Sequence, residues 1–263
     1  MRDDTLPALR IIQKEDQEQK RSKRSMAELI PERPIISSLV TTSTPAASWA
    51  ETVAAALTYL SKTDPIMAAA IERVGPCTLV PNPNLFETIV DAIVSQQISV
   101  RAADAIVARL RAATPGGQLT PEALLTLEHE ALRAVGLSTP KARYIRDLTE
   151  RVVSKQLDLE RLPEQEDEEV IEELVKVKGI GRWTAEMMLI FALGRTDVLP
   201  VDDLGFVEGV RSAYGLEARP KPQELRERGE QWRPYRTFAT WYMWGLRRLE
   251  VGIAKEKTRI VSL

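Results

Sequence analysis

The chain has 263 residues, 44% hydrophobic and 28% charged, with a formal net charge of −2, so it can bury a core in one large or two small domains. A near-neutral balance excludes a protein that coats nucleic acid by bulk attraction, yet leaves local contact open. One cysteine, Cys77, and one histidine, His129, exclude an intramolecular disulfide, a cysteine-caged metal or iron–sulfur site and a multi-histidine metal site.

Residues 1–45 read as a disordered tail. "KEDQEQKRSKRS" is charged without an apolar period, "PERPIISSLVTTSTPAAS" mixes Pro, Ser and Thr, and no signal-peptide core precedes them. From residue 46 to the end the pattern is helical. "SWAETVAAALTYLSKTD" spaces Val53, Ala56, Leu57 and Leu60 at helical intervals, with Ser48 as N-cap and Glu51 completing a capping box. "NPNLFETIVDAIVSQQISVRAADAIVARLRAA" gives two helices broken near Gln96–Ser99. "TPEALLTLEHEALRAVG" reads as one helix from a Thr cap to Gly136, with His129 solvated on its polar surface. "TPKARYIRDLTERVVSKQ" is the next helix, and no convincing alternating strand appears. The expected fold class is all-α, with about ten short helices on the helical period and no internal repeat. No apolar run approaches the ~20 residues that span a bilayer, so no membrane partner is expected.

Charge is unevenly placed. "LPEQEDEEVIEEL" (162–174) is acidic, whereas residues 224–249 carry Arg226, Arg228, Arg233, Arg236, Arg247 and Arg248 among aromatics. "DEEVIEELVKVKGIGRWTAEMMLIFALG" (167–194) reads as helix, tight turn, helix. Val170, Ile171, Leu174 and Val175 stripe the first helix; Trp183, Met187, Met188 and Phe191 stripe the second. Gly179 and Gly181 permit positive φ and bring backbone N–H groups to a helix N-terminus, where an anion such as a phosphate is favoured. A lone Gly-x-Gly is also a common packing device between helices, and both readings stand on spacing alone. No strand precedes the turn and no G-K-[ST] follows it, which excludes a dinucleotide fingerprint and a nucleotide P-loop. Beyond the second helix, "LPVDDLG" places two adjacent acids, Asp202 and Asp203, ahead of another helix, where either serves as an N-cap.

Four stretches together resemble the helix-hairpin-helix DNA glycosylase superfamily, and within it the 3-methyladenine-DNA glycosylase II branch of alkylation repair. They are "FETIVDAIVSQQISVRAADAIVARL", "VGLSTPKARYIRDLTERV", "VKGIGRWTAEMMLIFALGRTDVLPVDDLG" and "WRPYRTFATWYMWGL", spread over residues 50–250. The resemblance implies a compact two-lobed helical fold over 46–263, with an active-site cleft between the lobes and without the β-rich N-terminal domain of some members. It implies an intracellular monomer whose partner is double-stranded DNA carrying alkylated bases.

The family's catalytic aspartate lies two residues after the loop proline, here Pro200, which selects Asp202; Asp203 is then a cap or pocket edge. Bifunctional relatives of the endonuclease III-like branch hold a Schiff-base lysine where this chain has Trp183, so the resemblance implies a monofunctional hydrolase. It places Trp183, Trp244, Met187 and Asp203 around the extruded base, the alternative for Trp244 being core packing. It assigns Gln97, Lys178, Gly179, Ile180 and Gly181 to DNA contact, with Gln97 as the wedge where other members use leucine. No cofactor is required; the carbonyls of Val175, Val177 and Ile180 are expected to hold a monovalent cation. Two alternatives remain open: a glycosylase for another damaged or mismatched base, and a catalytically silent DNA-binding module.

Overall fold

The computed structural model describes the backbone of residues 46–261 and the side chains of residues 49–251. The expected tail, with its Lys20–Arg24 cluster, lies outside the described residues. Within them all regular structure is helical, with no strand. Twelve α-helices follow in order: α1 (Ala46–Thr63), α2 (Pro65–Val74), α3 (Leu85–Ser95), α4 (Val100–Ala113), α5 (Pro121–Leu125) and α6 (His129–Ala134), then α7 (Thr139–Val153), α8 (Asp167–Leu174), α9 (Arg182–Phe191), α10 (Leu204–Ala213), α11 (Pro222–Gly229) and α12 (Arg236–Val261).

Side-chain caps start many of these helices. Asn84 accepts from Glu87 N–H at α3, Ser99 from Ala102 N–H at α4, and Ser138 from Lys141 N–H at α7. The amphipathic stripes then close on one another: Leu60, Met67, Ile89, Ile93, Leu148, Leu174, Phe206, Trp232 and Phe238 are fully buried. α12 packs on α10, α2 and α1, whereas α3 packs on α4, α7 and α9, and α5 and α6 pack on α7. Gly209 lets α10 and α12 approach closely, because a Cβ there would meet the Met243 carbonyl oxygen at 2.3 Å. The loop 192–203 therefore leads from the helices around α3 to those around α12.

Two local expectations change. Ser48 falls inside α1, which begins at Ala46, because two alanines of high helix propensity extend it backwards. The stretch from Thr120 to Gly136 is two helices, since Leu127 N–H bonds the Leu124 carbonyl in a tighter turn and Glu128 is extended at the α6 N-cap. Three arginines of the basic stretch 224–249 are engaged within the fold. Arg233 and Arg236 pair with Asp197 at 2.8 and 2.7 Å, and the Arg228 guanidinium lies 3.9 Å from the Tyr214 ring centroid.

Candidate active site

The hairpin turn between α8 and α9 is built by buried apolar anchors. Val177 and Ile180 are buried, and Ile180 N–H donates to the Val177 carbonyl at 3.1 Å. Gly179 has φ +82°, and a Cβ there would stand 2.2 Å from the Tyr144 ring, so conformation and space both require glycine. Gly181 differs from the expectation: its φ is −99°, an ordinary extended value, and a Cβ would meet nothing within 4 Å. It is the α9 N-cap without a side-chain cap, so the face in front of the first α9 N–H groups is open.

Three residues of α7 brace this turn. Asp147 accepts Lys178 N–H at 3.0 Å and pairs with Lys178 Nζ at 3.1 Å and Arg151 Nε at 2.9 Å. Desolvation works to raise its carboxyl, but these Lys178 and Arg151 contacts outweigh it and hold Asp147 below the usual carboxylate range. Tyr144 fills the space under Gly179. Lys141 Nζ donates to the Val94 carbonyl at 2.7 Å and to the Gln96 carbonyl, closing the C-terminus of α3; burial pushes this ammonium down to about 8. Beyond that cap, Gln96 Nε2 donates to the Gly179 carbonyl at 2.9 Å, tying the α3–α4 loop to the hairpin. Gln97 follows, exposed and held at φ 60°, a left-handed conformation uncommon for a residue other than glycine.

The two adjacent acids have opposite surroundings. Asp202 is exposed, whereas Asp203 is 2% exposed and is the N-cap of α10. Asp203 Oδ1 accepts Phe206 N–H at 2.6 Å and Trp244 Nε1–H at 2.7 Å, and Oδ2 accepts Trp183 Nε1–H at 2.9 Å. Trp183, on α9, is half-buried. Trp244 is 3% exposed and stacks on Phe191 with ring centroids 5.8 Å apart, and Met187 is 5% exposed. Both are buried. The loop carrying the acids is itself anchored: Val198 N–H bonds Thr237 Oγ1 at 3.0 Å, and Thr237 donates to the Arg195 carbonyl at 2.6 Å. Asp203 N–H closes the last turn on the Pro200 carbonyl at 2.9 Å.

Glu186, one turn beyond Trp183 on α9, is a third carboxyl. Desolvation pushes it up to about 7; Arg182, 3.3 Å away, works against that rise, and the charge of Asp202 adds to it. An open helix N-terminus, an exposed carboxylate and a half-buried indole can respectively hold a phosphate, stabilise positive charge and stack on a planar base.

Comparison with known proteins shows the family of the chain. Residues 90–234, more than half of the chain, match the model of the HhH-GPD superfamily base excision DNA repair proteins. The chain belongs to the HhH-GPD superfamily. It is 33% identical over 196 residues to the alkylbase DNA glycosidase-like protein mag2 of Schizosaccharomyces pombe, covering 73% of this chain and 92% of that protein. The structure of S. pombe 3-methyladenine DNA glycosylase Mag1 in complex with abasic DNA superimposes with a TM-score of 0.64 at 35% identity, covering 72% of this chain and 95% of that one. The DNA-3-methyladenine glycosidase of Bacillus halodurans superimposes with a TM-score of 0.67 at 39% identity, covering 73% and 88%.

Among the described residues of this HhH-GPD chain, no group of three or more His, Cys, Asp or Glu is arranged to hold a metal ion, and no helix is long and apolar enough to cross a membrane. The braces Lys141, Tyr144 and Asp147 were not visible in the sequence. They lie on a helix that reads locally as an ordinary amphipathic segment, and each acts on residues 31 or more positions away. Glu186 was hidden for a different reason: its charge pairing within α9 looks like a surface pair until burial is known.

Proposed function

We propose that this protein is a monofunctional DNA glycosylase that releases alkylated purines by hydrolysing the N-glycosidic bond. The observation that carries the reading is an exposed Asp202 next in the chain to buried Asp203, whose Oδ2 accepts the N–H of the half-buried Trp183 indole. The relatives named for 3-methyladenine DNA glycosylase activity support it.

The base must leave the duplex stack to be reached. The open N-terminus of α9 at Gly181 receives a backbone phosphate, and Gln97 enters the gap left by the extruded nucleotide. Trp183 stacks on the base, and a cationic N-alkylated purine gains from the electron-rich face. As the glycosidic bond breaks, positive charge develops on the deoxyribose; the Asp202 carboxylate stabilises it and orients the attacking water. The carbonyls of Val175, Val177 and Ile180 belong to one turn, and neutral oxygen donors of this kind suit a monovalent cation that supports the phosphate contact. The Val177 carbonyl already accepts one N–H and keeps its second lone pair.

An imine-forming nucleophile is not part of the reading. Lys176 pairs with Glu173 at 2.7 Å, and Lys178 pairs with Asp147; both lie in the turn ahead of α9. Methylated duplex DNA should therefore lose 3-methyladenine or 7-methylguanine as free base, the strand breaking only after alkali or heat. Borohydride should trap no protein–DNA adduct. A trapped adduct would contradict the monofunctional reading, and no released base from any alkylated substrate would contradict the glycosylase itself.

A further inference from the structure

Two loops from distant parts of the chain meet at one hydrogen bond. Gln96 ends α3, and its side-chain amide reaches the Gly179 carbonyl at 2.9 Å, 83 residues along the chain. A carbonyl partner requires the amide nitrogen, so Gln96 is the donor. The peptide between Gly179 and Ile180 is then held at both ends. Its oxygen accepts from Gln96, and its N–H donates to the Val177 carbonyl at 3.1 Å. Gly181, the open N-cap of α9, follows directly.

Gln96 is also held through its backbone, because its carbonyl accepts Lys141 Nζ from α7. On the far side of Gln97, Ser99 caps α4 by accepting Ala102 N–H. Between these supports Gln97 stands exposed at φ 60°. A left-handed conformation is unfavourable for glutamine and persists where the surroundings impose it. The fold itself does not call for this bond. α3 packs on α7 and α9 and buries Ile89 and Ile93 completely, and one half-exposed amide–carbonyl bond adds little to such a core.

We infer that Gln96 is a positioning residue for base extrusion: it joins the loop carrying Gln97 to the phosphate hairpin, so that a duplex gripped at Gly181 meets Gln97 at a fixed offset. The inference rests on the reading of Gln97 and the hairpin given above. Phosphate contacts set the register of a protein on DNA. The Gln96 strap converts that register into the placement of one side chain at one nucleotide. Two independent loops would have to be ordered against each other when DNA arrives; a strap already formed in the free protein removes that cost. A neutral donor suits the place. A lysine or arginine there would compete for the phosphate, and a carboxylate would repel both the Gly179 carbonyl and the DNA.

The experiment measures affinity for two duplexes of one sequence, intact and with an abasic analogue, at one salt concentration. The proteins are wild type, Gln96→Met, Gln97→Ala and the double variant. Methionine keeps the length of the side chain and removes the donor. Gln96→Met should weaken binding of the abasic-analogue duplex by about 3- to 10-fold, the range of one neutral hydrogen bond, and leave the intact duplex unchanged. The double variant should bind the abasic-analogue duplex no more weakly than Gln97→Ala, because the strap acts through Gln97. A 2-aminopurine opposite the abasic analogue should lose most of its emission change on binding in Gln96→Met, as it does in Gln97→Ala. The melting temperature should stay within a few degrees of wild type. Equal losses on both duplexes, additive losses in the double variant, or an emission change that survives in Gln96→Met would overturn the inference. Wild-type protein that binds both duplexes alike would overturn the reading of Gln97, and the inference with it. Wild-type protein that prefers the abasic-analogue duplex but releases no base would overturn the glycosylase reading alone.

Discussion

The hairpin side of the site and the acid side are built by opposite means. At the hairpin the surface proposed to meet the phosphate is backbone, open at Gly181, and the side chains that shape it come from α7, earlier in the chain. On the acid side the groups proposed to meet the nucleoside are side chains, and most of what holds them lies within residues 183–206, with α12 adding Trp244. Backbone surfaces recognise what every nucleotide shares, the phosphate; side-chain surfaces recognise and transform one base. Hairpin-side changes should therefore act on DNA affinity and acid-side changes on rate.

The largest disruption should come from Gly179→Ala. A left-handed φ and a 2.2 Å approach to Tyr144 oppose the new Cβ, which should cost about 2–5 kcal/mol. For a protein of this size that lowers the melting temperature on the order of 10 °C. Gly181→Ala meets neither obstacle, so calorimetry should show almost no change while abasic-duplex affinity falls, measured at one fixed salt concentration. Equal melting temperatures for the two variants would erase the distinction between the glycines.

Lys141→Met keeps the side-chain stem and removes the donors that close α3. It should cost about 1–3 kcal/mol and weaken binding to a duplex with an extruded base. The rate of base release from saturated complexes should hold, which separates the wedge from the chemistry; a selective loss of that rate would join them.

Glu186→Gln is the subtlest change and belongs to the acid side. With its carboxyl pushed up to about 7, the folded protein binds a proton that the unfolded chain has released between the ordinary glutamate range and neutrality. Its contribution to stability is thus full below that range and is lost as pH rises through about 7. Glu186→Gln should be close to neutral in stability at low pH and should raise the melting temperature at alkaline pH, by up to about 3 kcal/mol of relief. The pH profile of base release should also lose any step near neutrality. A stability difference that does not vary with pH would show that Glu186 is not a buried titrating group.

The sequence disclosed what chain-local physics controls. Helical periodicity, the break at Gln96–Ser99, the Gly-Ile-Gly turn and the acid pair after Pro200 were all readable, because each depends on neighbours within a few residues. Two things were not readable. The difference between Gly179 and Gly181 depends on Tyr144, a residue on another helix, and the convergence of two indoles on Asp203 depends on α12 meeting α9. Both are products of packing.

The central claim is that the exposed acid does the chemistry. Asp202→Asn removes the negative charge opposite the developing sugar cation and leaves the α10 cap, which Asp203 supplies, intact. Single-turnover release of 7-methylguanine by this variant, bound at saturating protein, is the direct measurement. A loss of about 10²-fold or more, with melting temperature and abasic-duplex affinity retained, is the predicted result. Release within a few-fold of wild type would contradict the account and move the catalytic role elsewhere.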